Sequence, residues 1–396
     1  MSLFLVFIGF HYCVRVYFLM YYINMEVTRP TYAEIDLGKA LANLNVIRKH
    51  CVGKKIMCVV KGNAYGHGII EMGRFYQQNN ADYLAVAIPE EGVRLRDAGI
   101  TIPILVLSAI SKNQIQLCLE YNLTMTAPSD EKIFQMNEIA RSMSRKARVH
   151  INIDTGMNRI GVQWNRIHKI INILSSCPEV EPIGIYSHLS SSESDQEKTM
   201  LQYDRFCSAI DQFKKNNIHF QDIHLANSGG IINYRGFKDM NMVRAGLCLY
   251  GLFDGVVRDG FGLQPILEWK TEVSYFKWVP AGTGIGYGGV SVTDRDTRII
   301  TLPVGYADGY VRAFGPAGKV LLGGRAYPIV GSVCMDQMMV DIGPGGQAFC
   351  GDPVVLIGRQ KSAQVLAADL SENSGVSMYE IVTQISSRVP RVYKKY

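Results

Sequence analysis

The sequence lacks the cysteine and histidine patterns of disulfide-linked or metal-binding proteins. Its nine cysteines are an odd number, are scattered and form no CxxC pair. Among the eight histidines, His219 and His224 lie five residues apart, but no repeated acidic partner accompanies them. We therefore expect no metal site and no disulfide framework. Free thiols suit a reducing compartment, so we expect a cytoplasmic location.

Charge of one sign is also scarce. The chain has 41 Lys and Arg against 35 Asp and Glu, a net charge of only +6 over 396 residues. No block of like charges concentrates this surplus, so the sequence predicts no nucleic-acid partner. Hydrophobic residues make up 47% and charged residues 19%, which is a globular composition. The length predicts two or three domains.

The apolar segment 1–24 lacks the features of a membrane span or a signal peptide. His11 and Arg15 lie near its middle, and an arginine at mid-bilayer costs roughly 2.5–3.5 kcal/mol. No basic region opens it and no small-residue cleavage site closes it. A weak anchor, an extra docking segment and translated upstream sequence are the three interpretations. We favour the last, with initiation at Met25, and expect no membrane association.

Short apolar runs alternate with helix-like segments through the first two thirds of the chain. Eight of these runs are nearly continuous, as in strands buried on both faces; they span residues 55–60, 83–88, 103–109, 123–127, 148–154, 183–189, 222–228 and 242–251. A helix pattern with Asp36 as its N-cap precedes them. Eight alternating units predict an α/β fold, a (β/α)8 TIM-type barrel, with a doubly wound sheet as the alternative.

The pattern changes after about residue 265. Segments such as "WKTEVSYFKWV" alternate or run apolar among many glycines, and the next long helix pattern is "LAADLSENSG" at 366–375. We therefore predict a barrel over 25–265 and a mostly β C-terminal domain over 266–396. The string "GIGYGG" at 284–289 fits G-x-G-x-x-G, but no helix pattern follows it. We interpret it as a turn of the β domain, not as a nucleotide loop.

Polar residues stand at the carboxyl ends of the predicted barrel strands, the face where barrel enzymes hold their substrates. The set comprises Lys61, Arg159, His188, Asn227, Ser228 and Arg244, with the backbone of Gly246 and Leu247 in the eighth strand. Each has an ordinary explanation alone: a strand-end lysine, turn residues, a core histidine. Loops after strands seven and eight commonly hold a phosphate. A lysine and a phosphate cradle at one mouth are the minimum for pyridoxal 5′-phosphate (PLP).

Several motifs resemble those of the alanine racemases, the barrel-type PLP enzymes. "VVKGNAYGHG" is similar to their cofactor-lysine signature. The other motifs stand in the family's order along the chain: "RPTYAEIDL" before the lysine motif, and after it "DTGMNRIG", "HLANSGG", "VRAGLCLYG", "VGYADGY", "GSVCMDQMMVDIG" and "YEIVTQISSRVPR". The resemblance covers residues 29 to about 391. It implies interconversion of L-alanine and D-alanine, supply of D-alanine for peptidoglycan, and a homodimer with shared active sites.

The resemblance also implies residue roles. Lys61 corresponds to the lysine that bonds to PLP and acts as one of two bases, and Tyr287 to the opposing base from the other subunit. The implied cofactor ligands are Tyr65, His188, Asn227, Ser228, Arg244, Gly246, Leu247 and Tyr379. Arg159 and Met335 correspond to the pair that holds the substrate carboxylate. Tyr306 and Tyr379 correspond to gate tyrosines that keep the pocket small.

Asn152 departs from the family pattern. The family often has a carbamylated lysine seven residues before the arginine that corresponds to Arg159, and asparagine cannot carry a carbamate. A guanidinium without an anionic partner lacks compensation for its desolvation. We predict a chloride shared by Asn152 and Arg159, with a hydrogen bond from Asn152 to Arg159 or to backbone as the alternative.

Three other functions compete with alanine racemisation. A serine or broader amino-acid racemase is one. A barrel-type PLP decarboxylase is another, although such enzymes resemble this fold with a partner cysteine as proton donor, and Tyr287 and "HLANSGG" argue against it. A PLP-carrying binding protein would resemble the barrel alone, so the β domain with Tyr287 and Met335 argues against that.

Overall fold

The structure, a computed structural model, describes residues 28–253, 261–315 and 318–395, so the predictions for segment 1–24 lie outside the described residues. In chain order its first ten strands are β1 (Tyr32–Asp36), β2 (Lys55–Val59), β3 (Tyr83–Val86), β4 (Ile104–Val106), β5 (Thr124–Ala127), β6 (Ala147–Asp154), β7 (Val162–Gln163), β8 (Val180–Tyr186), β9 (Asp222–His224) and β10 (Met242–Ala245).

Eight of these strands form a closed parallel barrel. Their order is β5-β4-β3-β2-β10-β9-β8-β6, and β5 also pairs with β6, which closes the ring. All eight predicted strands are present, each shorter than or close to its apolar run. The four residues of β3, β5 and β10 are buried throughout, as the continuous apolar runs predict. The predicted (β/α)8 barrel is therefore confirmed.

Helices alternate with the barrel strands. They are α1 (Leu37–His50), α2 (Ile69–Gln78), α3 (Pro89–Asp97), α4 (Lys112–Glu120), α5 (Asp130–Ser142), α6 (His168–Ser176), α7 (Gln196–Lys215) and α8 (Ser228–Tyr234), and a 3-10 turn, Leu247–Tyr250, follows β10. Asp36 caps α1 by accepting from Lys39 N at 2.9 Å, as predicted. Helix α1 lies against the last barrel turn, because Asn43 Nδ2 donates to Leu249 O at 3.1 Å.

A second, mostly β domain follows. Its strands are β11 (Leu267–Glu272), β12 (Tyr275–Val279), β13 (Gly284–Ile285), β14 (Ser291–Val292), β15 (Thr297–Leu302), β16 (Lys319–Leu322), β17 (Arg325–Val330), β18 (Met338–Asp341), β19 (Pro353–Gln360), β20 (Ala363–Val365) and β21 (Arg391–Lys394), with helices α9 (Ala367–Ser374) and α10 (Met378–Gln384) and the 3-10 turns Tyr287–Gly289, Tyr306–Asp308 and Arg312–Phe314. The "GIGYGG" string forms β13 and a 3-10 turn, and strand β14 follows it directly in place of an α-helix, so its interpretation as a β-domain turn is confirmed.

Strand β1 belongs to the second domain's sheet. The order there is β12-β15-β18-β17-β16-β19-β11-β1-β21, with β20 paired to β19. The predicted division assigns residues 32–36 to the barrel, whereas their backbone pairs with β11 and β21. Alternate burial along β1, with Ala33 and Ile35 fully buried, suits a strand with one face on the core. The remaining boundary, near residue 265, stays a prediction.

The C-terminal segment is tied to the barrel mouth. Arg391 Nε donates to Gly66 O at 2.9 Å, and Tyr393 OH donates to His67 O at 2.8 Å. Helix α10 packs its Ile381 and Val382 into the hydrophobic core that the barrel and the second domain share. These contacts join the end of the chain to the loop after β2. Among the described residues no helix is long and apolar enough to cross a membrane.

Candidate active site

A cavity opens at the carboxyl ends of the barrel strands and brings together most of the predicted site residues. Its walls include Lys61, Tyr65, Asn152, Arg159, His188, Asn227, Ser228, Arg244, Gly246, Leu247 and Tyr379. These residues come from α10 and from the ends of five barrel strands, β2, β10, β9, β8 and β6, or the loops after them, so the strand order of the barrel makes them neighbours. The cavity therefore lies where barrel enzymes carry their chemistry.

Lys61 begins the turn Lys61–Tyr65, which is wound left-handed. Its three central residues have φ between 54° and 61° and ψ between 44° and 51°, and Tyr65 has φ of 51°. Left-handed backbone costs roughly 1–2 kcal/mol for each residue with a side chain. Neighbouring contacts must compensate: His67 Nδ1 lies 3.0 Å from Ala64 O and 2.8 Å from Tyr65 O. Because carbonyl oxygens only accept, His67 carries its proton on Nδ1.

The surroundings of Lys61 favour its neutral form. Burial lowers the pKa of Lys61, the positive charges of Arg159 and Arg244 lower it as well, and the carboxylate of Glu91 acts in the opposite direction. Glu91 is fixed, because its Oε1 accepts from Gly62 N at 2.7 Å and its Oε2 from Ala87 N at 2.9 Å. A neutral amine is the form that attacks a carbonyl carbon or accepts a proton.

Hydroxyl groups and a glycine form a small cradle opposite Lys61. A Cβ added to Gly246 would lie 2.9 Å from Tyr65 OH and 3.7 Å from Ser228 Oγ, so the three positions converge. Cys248 N donates to Ser228 Oγ at 3.3 Å, and Asn227 Oδ1 caps α8 by accepting from Gly230 N at 3.0 Å. Close approach of backbone and hydroxyl donors around a missing side chain suits a phosphate group.

The donor set fits the predicted cofactor. A lysine with a lowered pKa, a hydroxyl-lined cradle and the buried Arg244 all border the one cavity. Lys61 would hold the aldehyde end of PLP, while Tyr65, Ser228 and the backbone of Gly246 and Leu247 would hold its phosphate.

Arg244 is almost fully buried and rigidly held. Its NH2 donates to Ser187 O at 2.7 Å and to Leu225 O at 3.0 Å, and its NH1 donates to His224 O at 3.1 Å. His188, one of the implied cofactor ligands, contacts the arginine, since its Nδ1 lies 3.3 Å from Arg244 NH2. Burial lowers the pKa of Arg244 to about 10. Its guanidinium therefore stays charged at neutral pH and donates to every neighbour that it contacts.

Asn152 and Arg159 border the same cavity, but no hydrogen bond joins them among the described residues. Asn152 is 3% exposed, and its Oδ1 has no partner in the part of the chain that the structure describes. The direct hydrogen bond, the alternative weighed from the sequence, is therefore absent here.

Tyr287, Met335 and Tyr306 lie apart from the Lys61 cavity. Tyr287 and Met335 border a separate open groove of the second domain, and Tyr306 N donates to Cys334 O at 3.0 Å beside it. All three side chains are exposed, by 75%, 53% and 41% respectively. The described chain therefore separates the predicted residues into two clusters.

No group of three His, Cys, Asp or Glu side chains in the described ranges is placed to hold a metal ion.

Comparison with known proteins identifies the family. The family model for the alanine racemase N-terminal domain matches residues 35–254, and that for the C-terminal domain matches residues 266–393. The chain belongs to the alanine racemase family. The alanine racemase of Halothermothrix orenii is 43% identical over 377 residues, which cover 94% of this chain and 98% of that protein.

Solved alanine racemase structures share the fold along almost the whole chain. The Clostridium difficile enzyme has a TM-score of 0.88 at 36% identity, and covers 93% of this chain and 97% of its own. The Bacillus anthracis enzyme, solved with L-Ala-P bound, has a TM-score of 0.89 at 33% identity, with 94% and 96% covered.

The residues behind the Lys61 cavity were not predicted from the sequence. His224 Nδ1 lies 3.0 Å from Arg244 NH1, closer than the predicted His188, and Tyr186 lies under the guanidinium with its ring 5.2 Å away. Glu91 and His67, which support the Lys61 turn, were missed as well. A signal existed for His224, because a histidine inside a strand buried on both faces needs a polar partner.

Proposed function

We propose that this protein interconverts L-alanine and D-alanine with PLP held in the Lys61 cavity. Family membership supports the reaction, and the observation that carries it is the meeting of Lys61, the Tyr65–Ser228 cradle and Arg244 at one barrel mouth. When bound there, PLP would act as an electron sink for the charge that develops at the substrate Cα.

Racemisation needs proton exchange on both faces of Cα. Lys61, with its pKa lowered by burial and by two arginines, can accept or return a proton at Nζ on one face. A second base must stand on the opposite face, and among the described residues no other lysine, and no exposed tyrosine except Tyr379, borders the cavity. We assign the second base to Tyr287 of another copy of the chain.

A homodimer would complete the site. Tyr287, Met335 and Tyr306 are exposed together with Val290, and they form an apolar surface on the second domain. Exposed contiguous apolar surface marks an interaction site. In a two-fold dimer each copy would present this surface to its partner's cavity. Met335 backbone N–H and Arg159 would then hold the substrate carboxylate.

We propose alanine over serine as the preferred substrate. Tyr379 borders the cavity and Tyr306 borders the surface that would cover it, so both tyrosines would restrict the space beside the substrate side chain. Comparable kcat/KM for serine and alanine would favour the broader racemase instead.

We further propose that a chloride lies between Asn152 and Arg159. The unpartnered, buried amide of Asn152 and the absence of a hydrogen bond to Arg159 among the described residues support it. The unpartnered atom is the acceptor Oδ1, so the amide would bind an anion after rotation about its Cβ–Cγ bond, which turns its N–H groups to the position of Oδ1; the anion would then compensate the Arg159 charge.

The test is proton exchange at Cα. Purified protein loaded with PLP should exchange the α-proton of either alanine enantiomer in deuterated water and release the opposite enantiomer. Release of carbon dioxide would indicate a decarboxylase, and binding of PLP without exchange would indicate a carrier. Borohydride reduction should fix PLP to Lys61, and labelling of another lysine would contradict the assignment.

The cytoplasm is the proposed location. All eight cysteines of the described ranges are unpaired, and five of these are buried thiols, which suits a reducing compartment.

A further inference from the structure

A row of buried polar side chains runs through the barrel interior towards Arg244. It starts at the amino ends of the strands, where Asp222 begins β9. Lys55 Nζ lies 2.6 Å from Asp222 Oδ1, and Tyr83 OH donates to Asp222 Oδ2 at 2.8 Å. The Asp222 side chain is fully buried. A buried carboxylate is retained only with partners of this kind.

Two histidines lie between this carboxylate and Arg244. His150 Nδ1 lies 2.8 Å from His224 Nε2. His150 Nε2 lies 3.8 Å from Asp222 Oδ2, beyond hydrogen-bond distance, and has no other partner among the described residues, so Asp222 is its nearest anionic group. On the far side, His224 Nδ1 lies 3.0 Å from Arg244 NH1. Both imidazoles are fully buried and neither borders the cavity. The row therefore reaches the back of Arg244 and not the substrate space.

The hydrogen-bond chemistry gives this row one direction. A guanidinium has donors only, so His224 must accept at Nδ1 and carry its proton on Nε2. That proton is donated to His150 Nδ1, so His150 in turn carries its proton on Nε2, the nitrogen nearest Asp222. Both rings are neutral: burial lowers the pKa of His150 to about 4, and burial with the Arg244 charge lowers the pKa of His224 well below its ordinary value.

The barrel makes room for the His150 ring at one position. Gly184 lies opposite His150 in the paired strands β6 and β8. A Cβ added to Gly184 would lie 2.6 Å from three atoms of the imidazole, which is closer than packed atoms approach. Any other residue at 184 would displace the ring. The absence of a side chain at 184 therefore gives the His150 ring the space that it occupies.

The acceptors that surround Arg244 carry no charge. The contacts already described are three carbonyl oxygens and two imidazole nitrogens, all neutral. No carboxylate lies within ion-pair distance of Arg244 in the described ranges, since Asp222 is separated from it by both rings. A carboxylate in direct contact would largely cancel the guanidinium charge, whereas neutral acceptors orient it and leave the charge in place.

We propose that His150 is a positioning residue for Arg244, acting through His224. The series Arg244 to His224 to His150, ending against Asp222, fixes the tautomer of both imidazoles and holds the guanidinium in one orientation with its charge directed to the cavity. The inference rests on the proposed function only for the group that Arg244 faces, the ring of PLP. The tautomers themselves are a property of the protein chain.

The first test is a direct measurement of the tautomers. Nitrogen-15 NMR of the histidine-labelled holoenzyme distinguishes Nε2-protonated from Nδ1-protonated rings, and single substitutions assign the two signals. We expect both His224 and His150 to be neutral and protonated on Nε2. A proton on Nδ1 of either ring, or a charged ring at neutral pH, would overturn the proposal. A protein that shows the expected tautomers but does not racemise alanine would refute the proposed function alone.

The second test uses a matched pair of substitutions. His150→Leu removes the acceptor for His224 and leaves a buried N–H unpaired, whereas His150→Asn can place its Oδ1 near the position of Nδ1 and restore the acceptor. We expect His150→Leu to weaken PLP affinity and lower kcat, each by about tenfold. The KM for alanine should change by less than about twofold, because the carboxylate ligands are untouched. His150→Asn should recover most of both losses.

Gly184→Ala provides a variant in which no side chain of the row is itself substituted. It should displace the His150 ring and reproduce the His150→Leu phenotype, even if His150→Leu itself fails to fold. Equal losses in the Asn and Leu variants would show a merely structural role and would contradict the proposal, as would wild-type PLP affinity in the Gly184→Ala and His150→Leu proteins.

Discussion

At the scale of single residues, the charge balance around Lys61 gives a prediction with a defined sign. Arg159 lowers the pKa of Lys61 and Glu91 raises it. Glu91→Gln keeps an acceptor for one of the two backbone N–H groups and removes the charge, so the pKa of Lys61 should fall further and its neutral form should persist to lower pH. Arg159→Met should have the opposite effect.

The measurement is the rate at which the PLP-free protein attaches added PLP, followed by absorbance across pH. The rate should rise with pH in each protein, and the midpoint should lie lower for Glu91→Gln than for wild type and higher for Arg159→Met. Shifts of both variants in the same direction would contradict this account of the Lys61 environment.

Asn152 gives a second prediction at this scale. Activity should depend on chloride at constant ionic strength, a condition that removes general screening as an explanation. It should not depend on added bicarbonate, because asparagine cannot form a carbamate. Asn152→Leu, of similar size, should abolish the chloride dependence. Unchanged activity when chloride is replaced by a bulky inert anion would contradict the shared chloride site.

At the scale of elements, we expect substitutions beside the left-handed turn after Lys61 to lower the stability of the fold. Gly66 has φ of 81°, and a Cβ there would overlap the carbonyl oxygen of Val382 in α10. Gly53 has φ of 76° with nothing within 4 Å of an added Cβ. Both alanine variants therefore pay the left-handed penalty of about 1 kcal/mol, but only Gly66→Ala also clashes with backbone.

We expect Gly66→Ala to lower the melting temperature clearly more than Gly53→Ala, and to weaken PLP binding, which Gly53→Ala should leave unchanged. Thermal melts of the PLP-free and PLP-loaded proteins measure both effects. Equal melting temperatures for the two variants would show that the contact between α10 and the turn contributes little.

The elements also show what the sequence could predict. The barrel strands were predictable because continuous apolar runs report burial on both faces. Strand β1 was not, since the alternation of Ala33 and Ile35 indicates one buried face but not the sheet that covers it. His150 and His224 lie inside predicted strands, yet their contact depends on the strand order, which places β6 and β9 on the two sides of β8 with both side chains in the barrel interior.

At the scale of the whole molecule, the Lys61 cavity could be predicted from residues at strand ends, whereas its proposed completion by a second copy was implied only by the family resemblance. The motifs that carry Tyr287 and Met335 lie in the second domain, and in the described chain they border a different groove. The periodicity of apolar residues indicates how one chain folds and gives no information about contacts with a second copy. The exposure of Tyr287 supports the proposal that a second copy completes the site.

Complementation between two inactive variants tests this central claim most directly. Lys61→Ala and Tyr287→Phe proteins, carrying different tags, are each expected to be inactive. In a mixed dimer one site combines the Lys61 of one copy with the Tyr287 of the other. Co-expression should therefore restore alanine racemisation to about one quarter of the wild-type specific activity, since half of the dimers are mixed and each has one intact site. Mixed dimers that are recovered through both tags and show no racemisation would contradict a site shared between two copies.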